Sequence, residues 1–278
     1  MSAPGTPSPW PASPSSPDPA RSPEPPRGTQ ALRRGLAVVQ AVADGARTLS
    51  DISAATDLTK STAHRLAQGL VGERIIAETG QGHYRLGGRL ISWGGAAIAE
   101  NPVTEVAGPV LGQLSETTQD TVHLACEDAG TVFYLDKIDG RRGATMRSRV
   151  GGREPLLRTG IGKALLLDGA DRWEHLADAE HSRHPSSTGD EHADFSALMA
   201  NYARRGVAMD IEENEPGIRC VAAPVRDAHG RIVAAISVSA TTPYMASERM
   251  EALVNIVGGA ARDISIGLGA RPPFGPTG

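Results

Sequence analysis

Two cysteines in 278 residues, Cys126 and Cys220, are too few and too far apart for a disulfide framework. That scarcity points to a reducing, cytoplasmic setting. No run of 18 apolar residues occurs, so no membrane-spanning helix is expected. The N-terminus lacks an apolar core behind a basic start and does not read as a signal peptide. There is no internal repeat and no cofactor motif. A basic excess is missing too: the net charge is −4. Divided, it is less forbidding to a nucleic-acid partner. Residues 29–100 carry 8 Lys/Arg against 6 Asp/Glu, whereas residues 101–278 carry 18 against 24. Local surface charge, not the global sum, attracts phosphates.

Residues 1–28 hold 10 of the chain's 20 prolines. Such a segment cannot bury enough apolar surface to offset its ordering entropy, and disorder is expected. From Leu32 the pattern becomes helical through Leu36, Val39 and Val42, ending at Asp44-Gly45. Ser50 is the expected N-cap of a second helix. Asp57-Leu58 makes a turn, and Thr59 or Ser61 caps a third helix with Leu66 and Leu70 facing the core. Strands around Ile75-Ile76 and His83-Tyr84-Arg85 flank a Thr79–Gly82 turn. Two short helices and a hairpin make a winged helix-turn-helix, with residues 29–88 as a DNA-binding domain. Residues 89–100 read as a linker helix whose Leu90, Ile91 and Ile98 form an exposed stripe suited to a partner chain, with Trp93 as a packing or dimer-contact residue.

Residues 101–268 read as a second domain of mixed composition. Helices are expected over 106–117, 162–167, 195–204 and 247–268. Strands are expected over 121–126, 131–137, 144–150, 207–211, 219–225 and 232–240. A sheet with helices packed on it is a common small-molecule pocket architecture. Residues 269–278 read as a flexible tail. The whole is an α+β chain.

The third helix carries the clearest chemistry. A helix fits the B-DNA major groove, with its N-terminal side chains at base edges. Lys60 and Arg65 supply charge, Ser61 and Thr62 supply hydroxyls, and His64 supplies a donor. His83 and Arg85 place further donors on the wing.

The segments KSTAHRL, YRLGGRL, TVHLACED, SRVGGREPL, GIGKALL, EENEPGIRCVAAPV and AAISVS, in that order, are similar to the isocitrate-lyase-regulator (IclR) family of bacterial transcription factors. The resemblance runs from about Leu32 to about Ile266. It implies a GAF-like effector domain after the winged helix, a dimer or tetramer on a palindromic double-stranded operator, and control, commonly as a repressor, by a small organic acid. Carried over by motif, the effector site would draw on Met146, Thr159, Gly160, Ile161, Asp210, Ile218, Cys220, Ser237 and Ser239. That set suits a carboxylate. Backbone N–H groups at the start of the 160s helix can hold an anion, and two serines at i and i+2 share a strand face. Met146 and Ile218 would line the carbon skeleton.

Three features depart from the family pattern. Leu157 or Arg158 stands where histidine is frequent, so Arg158 bears on which acid is accepted. Asp57 stands where glycine often ends the second helix, and the proline-rich tail is extra. No enzyme activity, cofactor or metal is expected. A Cys220–His123–Asp210 hydrolase is the alternative of a different class, and a sensor that signals by protein contact alone is another. The G-I-G-K at 160–163 lacks phosphate-loop spacing. Glu180, His181 and His184, with His175 and His192 near, read as solvated loop residues rather than metal ligands.

Overall fold

Apolar side chains at helical spacing in the first helix meet a second helix and two small alanines on a third, and this triangle organises the N-terminal part. The computed structural model describes residues 29–143, 146–183 and 190–272. Within it the chain divides into two compact units, with the boundary between Glu100 and Asn101.

In the first unit α1 (Gln30–Ala43) buries Val38 and Val42 against Ile52 of α2 (Leu49–Thr56) and against Ala63 and Ala67 of α3 (Lys60–Gly72). The alanines, at i and i+4, let α3 approach closely. The N-cap of α2 is Thr48, not Ser50. Asp51 N donates to Thr48 Oγ1 at 3.2 Å and Thr48 N donates to Asp51 Oδ2 at 2.8 Å, a reciprocal capping box that Ser50 has no acid at the right spacing to complete. Asp57 ends α2 at φ 53°, the left-handed conformation that the glycine-like position requires. Thr59 caps α3 through Thr62 N.

The wing is β1 (Ile76–Thr79) paired antiparallel with β2 (His83–Leu86), Thr79 opposite His83. Tyr84 is buried in the helical core, and its N–H donates to Arg47 O at 2.7 Å. Gly87 then turns the chain into α4 (Gly88–Ala99). A Cβ there would stand 2.2 Å from Arg74 O, so only glycine fits. Leu90 of α4 packs on the helical core, unlike the expected exposed stripe, while Ile91, Trp93 and Ile98 are exposed.

The second unit opens with α5 (Pro102–Thr118), one turn earlier than expected. Asn101 caps it through Val103 N, and Pro102 takes the first turn, where its missing N–H costs nothing. Strands β3 (Thr121–Asp128), β4 (Thr131–Ile138), β5 (Arg153–Glu154), β6 (Ala208–Ile211), β7 (Ile218–Arg226) and β8 (Ile232–Thr241) form one antiparallel sheet ordered β5-β4-β3-β8-β7-β6. Helices α6 (Gly160–Leu165), α7 (Ala170–Arg183), α8 (Asp190–Arg205) and α9 (Ser247–Gly267) complete it. Helices α5 and α9 pack on one another and on β3 and β7, and α6 packs on β6, β7 and β8.

The expected strand over 144–150 is not there: residues 146–150 have no strand partner, and 144–145 lie outside the described residues. The ammonium of Lys137 takes the carbonyls of Met146 (3.0 Å) and Ser148 (2.8 Å), satisfying them without a ladder. The edge of β4 pairs instead with β5. Glu180 and His181 lie in α7 and His192 in α8 rather than in a loop, and His184 lies outside the described residues, as do 1–28 and 273–278.

The capping assignment is testable by unfolding. Thr48→Ala is expected to lower the stability of the N-terminal unit by about 1 kcal/mol, whereas Ser50→Ala leaves it nearly unchanged. Equal effects of the two substitutions would contradict the capping box.

Candidate functional site

The outward face of α3 presents Lys60, Ser61, His64 and Arg65, all exposed, with Thr62 half-buried beside them. Thr62 is tied down: its hydroxyl accepts from Thr59 Oγ1 at 2.9 Å, within the cap. His83 and Arg85 are exposed on the wing. Lys60, Arg65 and Arg85 have no ion pair among the described residues, so their charge is unneutralised. Gln68, which the sequence reading passed over, links helix and wing, its Nε2 donating to Glu78 Oε2 at 3.2 Å. A helix with free cations on its outer face, braced to a hairpin, can enter a major groove and hold phosphates beside it.

The second unit holds a cavity of about 50 Å3. Met146, Thr159, Ile161, Asp210, Ile218, Cys220, Ser237 and Ser239 all line it. Sheet register brings most of them together. Asp210 lies opposite Cys220, Cys220 opposite Ser239, and Ser239 opposite Thr121, so one cross-strand row spans β6, β7, β8 and β3. The adjacent row on the same face pairs Ser237 with His123. Gly160 stands at the wall rather than in the lining. A Cβ there would meet Cys220 Sγ at 2.5 Å, so glycine lets α6 lie flush on β7.

Several lining residues were not among the expected effector-site set: His123, Tyr134, Ser148, Glu154, Asn214, Arg147 and Glu215. Strand alternation could have found His123, two residues from Thr121 on the face that Ser237 and Ser239 share. Ser148 had no such signal, because its segment is irregular. His123 Nε2 and Ser148 Oγ lie 2.7 Å apart, Ser237 Oγ is 3.4 Å from Nδ1, and the His123 and Tyr134 rings are 5.0 Å apart.

Burial sets the electrostatics. It pushes the His123 pKa down to about 3, aided by the positive charge of Lys137, so the imidazole is neutral. Burial pushes the Cys220 thiol up to about 12, with the Asp210 charge adding to it. Burial also raises Asp210 to about 6, against hydrogen bonds from the Glu213 backbone that favour its ionised form. The lining thus combines neutral hydroxyl, imidazole, phenol and amide groups with the ionisable side chains of Arg147, Glu154, Glu215 and Asp210, the last part-protonated near neutral pH.

Two expectations change. The start of α6 is a poorer anion holder than its sequence suggests, because Gly162 N donates to Thr159 Oγ1 and Gly160 lies flush against Cys220 Sγ. Arg158 does not line the cavity: its guanidinium holds Glu213 O, at 3.0 and 2.7 Å. The hydrolase alternative also fails on geometry. The ring nitrogens of His123 face Ser148 and Ser237, and Cys220 is held as a thiol, which is a weak nucleophile. Among the described residues no group of three or more His, Cys, Asp or Glu could hold a metal.

A winged helix with free cations, followed by an antiparallel-sheet unit around a polar cavity, defines a helix-turn-helix DNA-binding regulator. Comparison with known proteins gives the family. The bacterial transcriptional regulator IclR C-terminal model matches residues 95–266, and the IclR helix-turn-helix model matches residues 31–80. The transcriptional regulator XynR of Escherichia coli is 35% identical over 218 residues, covering 77% of this chain and 86% of that protein. The transcriptional repressor AllR of Salmonella typhi is 30% identical over 253 residues, covering 89% and 93%. The crystal structure of an IclR homologue from Microbacterium hydrocarbonoxydans complexed with 4-hydroxybenzoate superposes with a TM-score of 0.72 at 25% identity, covering 86% of this chain and 98% of that one. The chain belongs to the IclR family, whose members are transcriptional regulators and not enzymes.

The raised pKa of Asp210 has a direction that can be measured. The folded state keeps a proton that the unfolded chain releases near 3.8. The stabilisation is complete below that pH and is lost as pH rises through about 6. Asp210→Asn is therefore expected to remove about 2 kcal/mol of pH dependence in unfolding free energy between pH 4 and 7. An unchanged slope in that variant would contradict the assignment.

Proposed function

We propose that this chain is a cytoplasmic transcriptional repressor that grips a palindromic operator as a homo-oligomer and whose occupancy is set by a small organic acid in the cavity beneath β7 and β8. The observation that carries the reading is the convergence of Asp210, Cys220, Ser237 and Ser239 on one row-ordered polar face beside α6. Repression is favoured by the likeness to AllR. The 4-hydroxybenzoate complex of the Microbacterium relative supports an acid as effector.

A carboxylate would be met mainly by neutral donors here: Ser237, Ser239, Tyr134, Asn214 and the protonated form of Asp210. Arg147 is the lining cation, and it is largely exposed. A cavity of about 50 Å3 takes an acid of a few heavy atoms. An aromatic acid needs more, since a void of roughly 150 Å3 is what accepts benzene. The Met146–Ser148 segment, whose carbonyls are held by Lys137 rather than by a ladder and whose Ser148 hydroxyl meets His123, is the wall that could move outward to admit it.

Operator contact rests on Lys60, Ser61, Thr62, His64 and Arg65 of α3, with His83 and Arg85 on the wing. Self-association is supported by α4, none of whose residues is buried and whose Ile91, Trp93 and Ile98 are exposed, and by exposed Leu32 and Leu36 of α1. Two recognition helices on a two-fold axis meet grooves about one duplex turn apart. The effector acts only through a difference in affinity between the DNA-competent and incompetent states.

Fluorescence anisotropy on DNA from upstream of the chain's own gene, titrated with small organic acids, tests the reading. Salt-sensitive operator binding that one acid weakens or strengthens is expected. Arg65→Ala should cost about 1–3 kcal/mol of operator affinity, while Ser237→Ala should blunt the acid response and spare DNA binding. Operator affinity equal to that for random duplex, with and without acids, would overturn the proposal.

A further inference from the structure

A second and larger cavity, of about 220 Å3, lies in the C-terminal unit where the end of α8 meets β7 and α9. It shares no lining residue with the first. Its apolar walls include Leu167, Val207, Val254 and Ala261, and four arginines reach it: Arg204, Arg205, Arg226 and Arg262. No Asp or Glu lines it. That is unexpected in a stretch where residues 101–278 carry 24 Asp/Glu against 18 Lys/Arg.

The four arginines are not equivalent. Arg226 makes a two-pronged pair with Asp168, and Arg205 pairs with Glu251 at 2.5 Å. The guanidinium of Arg204 donates to Asn201 Oδ1 at 3.4 Å and has no carboxylate among the described residues. Arg262 has no ion pair among the described residues either. Two guanidinium groups thus line one concavity without a carboxylate partner among the described residues. Like charges brought together repel, and a bound anion relieves that. Guanidinium forks match phosphate and carboxylate oxygens in pairs.

We infer that this cavity is a binding site for a small organic dianion, a phosphate monoester or a dicarboxylate on an aromatic or branched carbon frame. Its charge sits between Arg204 and Arg262 and its frame lies on Val207, Val254 and Ala261. The volume is ample for a ring. Gly258 keeps the space open: a Cβ there would stand 3.7 Å from Val207 Cγ1 and 3.8 Å from Arg262 Nη1, so a longer side chain would fill the void. The walls of both cavities include β7, with Ile218 and Cys220 at one end and Arg226 at the other.

Isothermal titration of the full-length protein with phenyl phosphate and with isophthalate tests this site apart from the first cavity and from DNA. One probe, or both, should bind saturably at one per chain and more weakly as salt rises. Arg204→Ala and Arg262→Ala, both at exposed positions, should each weaken binding tenfold or more. Gly258→Leu should abolish it, and Ser237→Ala, in the first cavity, should leave it unchanged. The stronger probe tells phosphate from dicarboxylate. Absence of saturable binding by both probes overturns the proposal. So does affinity that survives both arginine substitutions, or that falls instead with Ser237→Ala.

Discussion

The backbone of Glu213 is the point on which the first cavity depends. Three side chains, from β6, from α6 and from the turn before α6, seize this one residue. Asp210 accepts its N–H at 2.8 Å, Arg158 takes its carbonyl, and the fully buried Lys163 pairs with its carboxylate at 2.5 Å. A buried ammonium has no water to fall back on, so it demands a partner, and losing that partner is strongly destabilising. The demand pulls the loop between β6 and β7 against α6. Glu212, beside it, accepts a left-handed φ of 66° because Arg219 and Gly217 N grip its carboxylate. Asn214 and Glu215, carried by the same loop, then form a wall of the cavity. The sequence EENEPG is therefore a frame for the site more than a set of ligand contacts.

The same economy of small residues governs both units. In the N-terminal unit Ala63 and Ala67 let α3 close on its neighbours, which turns Lys60, His64 and Arg65 outward. In the C-terminal unit Gly160 lets α6 close on Cys220. In both cases a small residue sets how closely a helix approaches its neighbours. The charge balance follows suit. The weak local excess of cations around α3 is carried by Lys60, Arg65 and Arg85, which have no ion pair among the described residues, and the unit is not strongly basic.

Much of this was legible in the residues. The helical spacing of Val39 and Val42, the hairpin around Gly80 and Gly82, and the alternation in AAISVS give the elements directly. The motif order gives the lining residues from Met146 to Ser239 that the sheet register then unites. What escaped the sequence depends on long-range partners. Thr48 wins the cap over Ser50 because Asp51 stands three residues after it. The strand expected over 144–150 fails because Lys137, in another strand, captures its carbonyls. Arg158 is drawn from the ligand to Glu213, 55 residues away. Helix α7 was readable from Trp173, Leu176 and Ala177 at helical spacing, but its histidines and the neighbouring Pro185 suggested a loop. Neither the second cavity nor its arginines carries a local motif, since Arg204, Arg226 and Arg262 meet only through tertiary packing.

The central claim is that the cavity beside α6 is where a small acid is sensed. Hydrogen–deuterium exchange on the full chain, with and without the acid that shifts operator affinity, tests it most directly. The account predicts slowed exchange in residues 146–152, at the start of α6 and in the loop from Glu212 to Gly217. Protection elsewhere, with these three segments unchanged, would contradict it.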